Sequence, residues 1–294
     1  MMRNFHKTFV VFAIIATFAS GCRSTDEYKK FAEAGNNFVD ATNSLLDTAG
    51  QITIKATSEQ LLRSRRDRML ANGNKPLDGI DNIYNEFSDQ DKNRLALISE
   101  LRNHNRLLQA YFSKLIELAG SDSPVRTEKA VGNITAQLEG SSSRLLKLSP
   151  IKIDKLPSVT KIVLDSRIRG SLRKELEKRK DTIYREITIQ EEVLKKISEF
   201  VREDIETIQE LQEKRLVIAP FKSEEINEDS WIDTRLTVLT QNAQIILAIN
   251  KASDNLSAFK ELYIASIEGE LTRERVNNFI QETNSFTALV SEQK

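Results

Sequence analysis

The chain has 294 residues, and its 43 basic residues equal its 43 acidic residues in number. A balanced charge provides no general attraction to nucleic acid, so we expect no nucleic-acid partner. Two histidines and one cysteine leave few side chains for nucleophilic or metal chemistry. Glycine and proline are scarce, and apolar residues recur at intervals of three and four, so the sequence predicts an all-α protein.

The first residues have the order of an export signal. Basic residues precede an apolar core over 9–18, and the small residues Ser20 and Gly21 precede Cys22. This order is typical of a secretory signal. The apolar run is shorter than the about 20 residues that a transmembrane helix needs. We therefore expect residues 1–21 to be removed by cleavage after Gly21, leaving a mature chain that begins at Cys22.

Ser20-Gly21-Cys22 resembles the lipobox of bacterial lipoproteins, although Ala19 stands where that family usually has Leu, Val or Ile. The resemblance implies a thioether-linked diacylglycerol on Cys22 and an acylated amino terminus, such as a palmitate. Several acyl chains give stable membrane anchoring. Arg23, where an Asp would retain the protein in the inner membrane, implies the outer membrane, facing the periplasm. The alternative is an ordinary secretory signal with an incidental cysteine.

Apolar residues at helical spacing predict helices in the N-terminal part of the mature chain, residues 22–148. The predicted helices cover about 26–70, 88–120 and 123–148. The first should end at the glycine and proline of 72–76. Ser88 with Asp91 predicts the start of the second, and Pro124 is a favourable first residue for the third.

Residues 149–157 form the predicted linker, because this stretch contains two prolines and alternates apolar with polar residues. Helical spacing resumes in the C-terminal part, residues 158–294. The helices predicted there cover about 158–217, 230–267 and 272–290. Gly170 is a point at which the first of them could be interrupted.

These segments predict an elongated antiparallel helical bundle with long, coiled-coil-like helices. The parts before and after the linker should pack as two layers of one bundle. We expect four large side chains at inward positions, namely Phe112, Leu176, Ile197 and Leu239.

The sequence predicts no catalytic residues, no metal site and no cofactor. His104, the only histidine of the mature chain, lies beside an apolar seam and is expected to be a partly buried helix residue. Glu100 shares its helix face, but zinc needs three or four protein ligands. Acidic residues over 224–229 could form a carboxylate site for calcium or magnesium; their ordinary role is to favour the start of a helix.

The densest charge cluster consists of Arg63, Arg65, Arg66 and Arg68. Its default interpretation is a solvated helix face. The functional alternative is contact with an anionic surface such as lipid phosphates, where each basic residue contributes about 1 kcal/mol. A straight helix would place this cluster roughly 60 Å from Cys22.

The combination of an anchor with few reactive side chains predicts a non-enzymatic lipoprotein of the bacterial cell envelope. We expect it to attach to the membrane through lipid on Cys22 and to act as a helical interaction, spacer or scaffold module with a protein partner in the envelope. The alternative is a membrane-acting or exclusion protein whose helices rearrange.

Overall fold

The computed structural model describes residues 5–72, 79–120, 124–151, 162–166, 168, 170–240 and 243–291. Side chains are described from residue 30 onward within these ranges, except at 31, 32, 72, 119, 120, 124, 125 and 243. The predicted cleavage site at Gly21 and the lipidation site at Cys22 therefore lie outside the residues whose side chains are described.

The described residues are almost entirely helical and contain no strand. The elements are α1 (Phe5–Asn72), α2 (Ile80–Gly120), α3 (Pro124–Leu148), α4 (Gly170–Gln212), a π-helical segment (Glu213–Ile218), α5 (Ala219–Phe221), α6 (Glu228–Thr240), α7 (Ala243–Glu268) and α8 (Arg273–Ser291). The predicted all-α bundle is confirmed. At 1.5 Å per residue, the 43 residues of α4 alone extend about 65 Å, so the bundle is elongated.

Four helices, α1, α2, α4 and α7, surround the core, while α3 lies against α2 and α4, and α8 lies against α1 and α7. The helices α1 and α2 are antiparallel, because Asp47 of α1 contacts Arg102 of α2, and farther along α1 Thr57 contacts Asp91, which lies earlier in α2. The pair α3 and α4 is parallel: Gly132 lies beside Arg179, and farther along both helices Ser142 contacts Glu186. A parallel pair requires the chain to return along the bundle between them.

Part of that return is described. Ile162–Asp165 has no helical structure, and Asp165 N donates a hydrogen bond to Ile267 O at 2.8 Å, near the end of α7. Ile162 is buried against the bundle. The described part of this connection is therefore attached to the end of α7 shortly before α4 begins.

Aromatic side chains fill the centre of the bundle. The ring of Phe112 meets that of Phe259 edge to face with centroids 5.0 Å apart, and Phe38 stacks on Phe259 at 6.5 Å. Gly35 permits this packing, because a Cβ atom there would lie 3.0 Å from the Phe259 ring. Such aromatic pairs add about 0.5–1.5 kcal/mol to the effect of burial alone.

Three of the four predicted core residues are confirmed. Phe112, Leu176 and Ile197 are buried, but Leu239 is 40% exposed, so its assignment to the core was wrong. Within the predicted helix over 230–267 the structure describes α6 and α7, and residues 241 and 242 between them lie outside the described ranges. On α6 the buried residue is Val238, the neighbour of Leu239 in sequence, so a different stripe of this helix packs against the rest of the protein.

Two predicted helix starts also differ from the structure. α2 begins at Ile80, eight residues before Ser88, because Gly79 adopts a left-handed conformation (φ 72°) at which the new helix can start. Asp81 in its first turn stabilises that end of the helix. α4 begins at Gly170 (φ 67°) rather than near residue 158. The predicted linker is non-helical at 149–151, and its remaining residues lie outside the described ranges.

Candidate functional site

One end of the bundle, where α1 ends and α2 begins, carries most of the exposed large apolar side chains. We call this the distal end and define it as residues 62–72, 80–87 and 213–240. Ten of the fourteen such side chains in the described part of the chain lie there: Leu62, Met69, Leu70, Tyr84, Ile218, Phe221, Ile226, Ile232, Leu236 and Leu239. Large patches of exposed apolar side chains on a protein surface usually mark a binding site. The distal end is therefore the candidate interaction surface.

The last turns of α1 present apolar and basic side chains together. Leu62, Met69 and Leu70 are exposed, and Leu70 is 84% exposed. Arg63 and Arg65 are exposed on the same turns. We call these five residues the α1 patch. It combines apolar area with positive charge, two properties that a partner can recognise independently.

The structure divides the predicted arginine cluster into two pairs. Arg63 and Arg65 are exposed, whereas Arg66 and Arg68 are half-buried. Arg63 Nε lies 3.5 Å from Asp67 Oδ2, and both of these side chains are more than half exposed. An exposed ion pair of this kind contributes at most about 1 kcal/mol. The positive charges of Arg63 and Arg65 therefore remain accessible to solvent and to a partner.

α6 presents an uncovered apolar stripe beside acidic residues. Ile232, Leu236 and Leu239 follow each other about one helical turn apart and are 57%, 62% and 40% exposed. Asp229 and Asp233 are exposed next to this stripe. We call these five residues the α6 patch. Its spacing is that of a helix face that packs against another helix.

The opposite side of α6 attaches it to the π-helical segment. Trp231 Nε1 donates a hydrogen bond to Val217 O at 2.9 Å, and its ring stacks on Phe221 with centroids 5.2 Å apart. Val238 is buried on this side. An open groove of about 570 Å³ lies between α6 and the end of α4, next to Gln212. α6 is thus held at a few points rather than along its length.

Glu59 connects α1 to the same π-helical segment. Its carboxylate accepts hydrogen bonds from Gln212 Nε2 and from Arg215 Nε, both at 3.1 Å. Burial acts to raise the pKa of Glu59, but the hydrogen bonds and charge of Arg215, together with Gln212, outweigh burial and hold the pKa below its ordinary value. The ionised Glu59 fixes the end of α1 relative to the segment that carries α6.

Buried polar side chains also line α4 inside the bundle. Gln190 Nε2 donates to Asn105 Oδ1 at 2.5 Å, and Asn105 Nδ2 donates to Asn43 Oδ1 at 3.1 Å. This chain of amides joins α4, α2 and α1. Satisfied buried polar networks favour one helix register over its alternatives, so we assign this group a structural role.

His104 lies at the centre of a second buried polar group. Its Nε2 atom is 3.0 Å from Glu186 Oε2 and 3.2 Å from Ser142 Oγ, and the Ser142 hydroxyl also donates to Glu186. A catalytic triad places the acid and the serine on different imidazole nitrogens. Here both partners meet one nitrogen, while Nδ1 has no hydrogen-bond partner among the described residues.

The environment of His104 is also closed to substrate. The residue is completely buried, rather than partly buried as predicted. Glu100, which shares its helix face, instead accepts hydrogen bonds from Arg144 Nε at 2.9 Å and Ser141 Oγ at 2.5 Å. The contacts of His104 join α2, α3 and α4, and the imidazole has no surface exposed beyond the described residues that pack around it.

Neither a metal site nor a membrane-spanning helix is found in the described ranges. No three side chains of His, Cys, Asp or Glu come together there in a way that could hold a metal ion. The acidic residues Glu224, Glu225, Glu228 and Asp229 are all exposed around the start of α6. No helix in these ranges is both long enough and apolar enough to cross a bilayer.

Comparisons of the chain with protein-family models, with curated proteins and with solved structures give no match. The candidate site is consequently defined by the geometry of this chain alone. Its two patches lie on one end of the bundle, carry opposite charge and remain uncovered.

The arginine cluster indicates the basic part of the distal end in the sequence, but no sequence pattern identified the apolar part. Leu236 and Leu239 both follow the helical spacing that leads into α7, and on that spacing the sequence predicts Leu239 at an inward position. Two signals point to their exposure: the acidic residues that precede α6, and the three successive steps of three between Ala243 and Ala252, which break the seam.

Proposed function

We propose that the protein is a non-enzymatic lipoprotein of the bacterial cell envelope that presents an interaction surface far from its membrane anchor. The observation that carries the proposal is the concentration of exposed apolar and charged side chains at the distal end. The lipobox-like Ser20-Gly21-Cys22 supports the anchor. In this arrangement the protein attaches to the membrane near its amino terminus and binds a partner with the distal end. The length of α1 between them acts as a spacer.

The length of α1 supports the spacer role. Lys30 and Leu70 are 40 residues apart on one helix, which corresponds to roughly 60 Å. Contacts with α2, α4 and α8 hold this helix within the bundle. The distal end would therefore contact a partner at a defined height above the membrane.

The anchor is tested by metabolic labelling with a palmitate analogue. The wild-type chain should take up the label and fractionate with the outer membrane, whereas Cys22→Ser should lose the label and remain uncleaved or become soluble. Labelling of Cys22→Ser would contradict lipidation at this residue.

The binding surface is tested with a photo-crosslinking amino acid at Leu236 or, as a matched control, at Val163. These positions are 62% and 63% exposed but lie in different parts of the bundle. In intact cells, position 236 should give a discrete protein crosslink, and position 163 should give none. Equal crosslinking at both positions would show that the distal end has no special role.

The second candidate function is action on a membrane by the distal end. Arg63 and Arg65 beside Leu62, Met69 and Leu70 resemble the mixture of basic and apolar side chains that binds anionic bilayers. Dye leakage from vesicles that contain anionic lipid, at physiological salt, distinguishes this function from protein binding. If the wild type causes leakage and the double variant Arg63→Gln with Arg65→Gln does not, the result would favour action on a membrane.

A further inference from the structure

We infer that the distal ends of two copies of this chain bind each other, the α1 patch of one copy against the α6 patch of the other. This inference rests on the proposed binding role of the distal end and specifies its partner. It is carried by charge complementarity between two uncovered surfaces of the same molecule.

The two patches carry equal and opposite charge. The α1 patch contains two exposed arginines, Arg63 and Arg65, and no acidic residue, which gives a charge of +2. The α6 patch contains two exposed aspartates, Asp229 and Asp233, and no basic residue, which gives −2. Opposite potentials favour association of two surfaces and disfavour pairing of like patches.

The two patches also match in shape and polarity. α6 offers Ile232, Leu236 and Leu239 along one side, with the spacing of a helix that packs on another helix. The end of α1 offers Leu62 and Met69 seven residues apart on its own face. Each surface thus supplies an apolar centre with charge around it, which is the usual composition of a protein interface.

Within one molecule these surfaces do not cover each other. Glu59 holds α1 to Arg215 of the π-helical segment, while Trp231 holds α6 to Val217 of the same segment. In that arrangement Leu70 and Leu236 are both largely exposed. A second copy can supply the missing contacts.

In a dimer with two-fold symmetry, both patches of each copy are covered at the same time. If the α1 patch of one copy meets the α6 patch of its partner, the same rotation brings the remaining two patches together. The assembly then closes as a dimer with two equivalent contacts and leaves neither patch free. With lipid anchors at the opposite ends of the bundles, such a dimer would join two anchored copies through their tips.

The test uses the full chain in detergent micelles and reverses the charge of one patch at a time. One variant carries Arg63→Glu with Arg65→Glu, and the other carries Asp229→Lys with Asp233→Lys. Sedimentation equilibrium should show a dimer for the wild type. Each variant alone should dimerise at least about tenfold more weakly, because both contacts of its dimer become repulsive.

Mixing the two variants should restore the dimer as a heterodimer. One contact then joins the two reversed patches, and the other joins the two unchanged patches, so both are attractive. Native mass spectrometry identifies the mixed species by mass. The matched control is Lys129→Glu with Lys147→Glu, two exposed lysines of α3, which should leave dimerisation unchanged.

A monomeric wild type at all concentrations tested would overturn the inference, as would a mixture that stays monomeric. In either case the crosslink at position 236 still reports separately on the proposed function, because a foreign protein captured there would preserve the binding role without self-association. Binding to vesicles that contain anionic lipid, lost on reversal of the α1 patch and not restored by mixing, would assign the surface to membranes and also overturn the inference.

Discussion

Asp204 of α4 and Arg94 of α2 form an ion pair in which the carboxylate is buried and the guanidinium reaches solvent. Arg94 Nη1 donates to the two carboxylate oxygens at 2.8 and 3.1 Å, and Thr53 Oγ1 donates at 2.9 Å. Burial nevertheless raises the pKa of Asp204, more than Arg94 and Thr53 lower it. The folded protein therefore holds the proton of Asp204 more tightly than an aspartate in water does.

Glu191 is the opposite case. Burial acts to raise the pKa of this carboxyl, but the hydrogen bonds and charges of Lys260 and then Lys195 outweigh burial and lower the pKa. A lowered folded pKa contributes stability that is present above the unfolded value, near 4.5, and is lost as the pH falls through the folded value. A raised folded pKa, as at Asp204, contributes stability that is lost as the pH rises above the unfolded value, near 3.8.

The opposite directions of these two pKa shifts predict how stability depends on pH. Over about pH 3 to 6, the midpoint of thermal unfolding should rise less steeply with pH in Glu191→Gln than in the wild type, and more steeply in Asp204→Asn. The measurement is a series of melts followed by circular dichroism at constant ionic strength. Parallel curves for all three proteins would show that neither carboxyl changes its pKa on folding.

A second prediction contrasts a buried and an exposed leucine. Leu176 is buried and Leu239 is 40% exposed. Leu176→Ala should lower the free energy of unfolding by about 2–5 kcal/mol, whereas Leu239→Ala should lower it by less than about 1 kcal/mol. Urea denaturation measures both values. An equal loss would mean that Leu239 is covered, for example within a dimer, and repeating the measurement at several protein concentrations separates the two explanations.

The fold was predictable from sequence where one helix buries a continuous stripe. Leu101, Leu108 and Leu115 of α2 are spaced by seven and are all buried, because this helix contacts neighbours along most of its length. Periodicity reports how apolar residues are arranged on a helix. The spacing identified the buried face of α2 because this helix has a single apolar face.

The distal end was less predictable, because the spacing of apolar residues does not tell which of two neighbouring stripes on a helix packs against another element. Val238 and Leu239 are adjacent in sequence, and only Val238 is buried. That choice depends on where Trp231 meets Val217, a contact between separate elements. The polar group around His104 was hidden for the same reason, since Ser142 and Glu186 come from different helices.

A third prediction concerns this polar group. His104→Leu should leave the carboxylate of Glu186 buried without its imidazole, and Glu186→Leu should leave the imidazole without its acceptor, so each should destabilise the bundle by about 3–5 kcal/mol. The double replacement should cost less than the sum of the two, because no polar atom of the pair remains unpaired. Urea denaturation of the four proteins gives the coupling free energy. Strict additivity would show that the two side chains do not interact.

A fourth prediction follows from the few contacts that hold α6. Trp231→Phe keeps a ring that can stack on Phe221 but lacks the N–H that bonds to Val217 O, and Trp231→Ala removes both interactions. Hydrogen exchange should accelerate over residues 228–240 in both variants, by about fivefold for Phe if the hydrogen bond contributes about 1 kcal/mol, and more for Ala. Exchange in α4 over 183–205 should not change, because its burial against α1, α2 and α7 does not involve Trp231. Acceleration throughout the bundle would show instead that α6 unfolds only together with the core, and the α6 patch would then be a rigid part of the bundle rather than a separately attached helix.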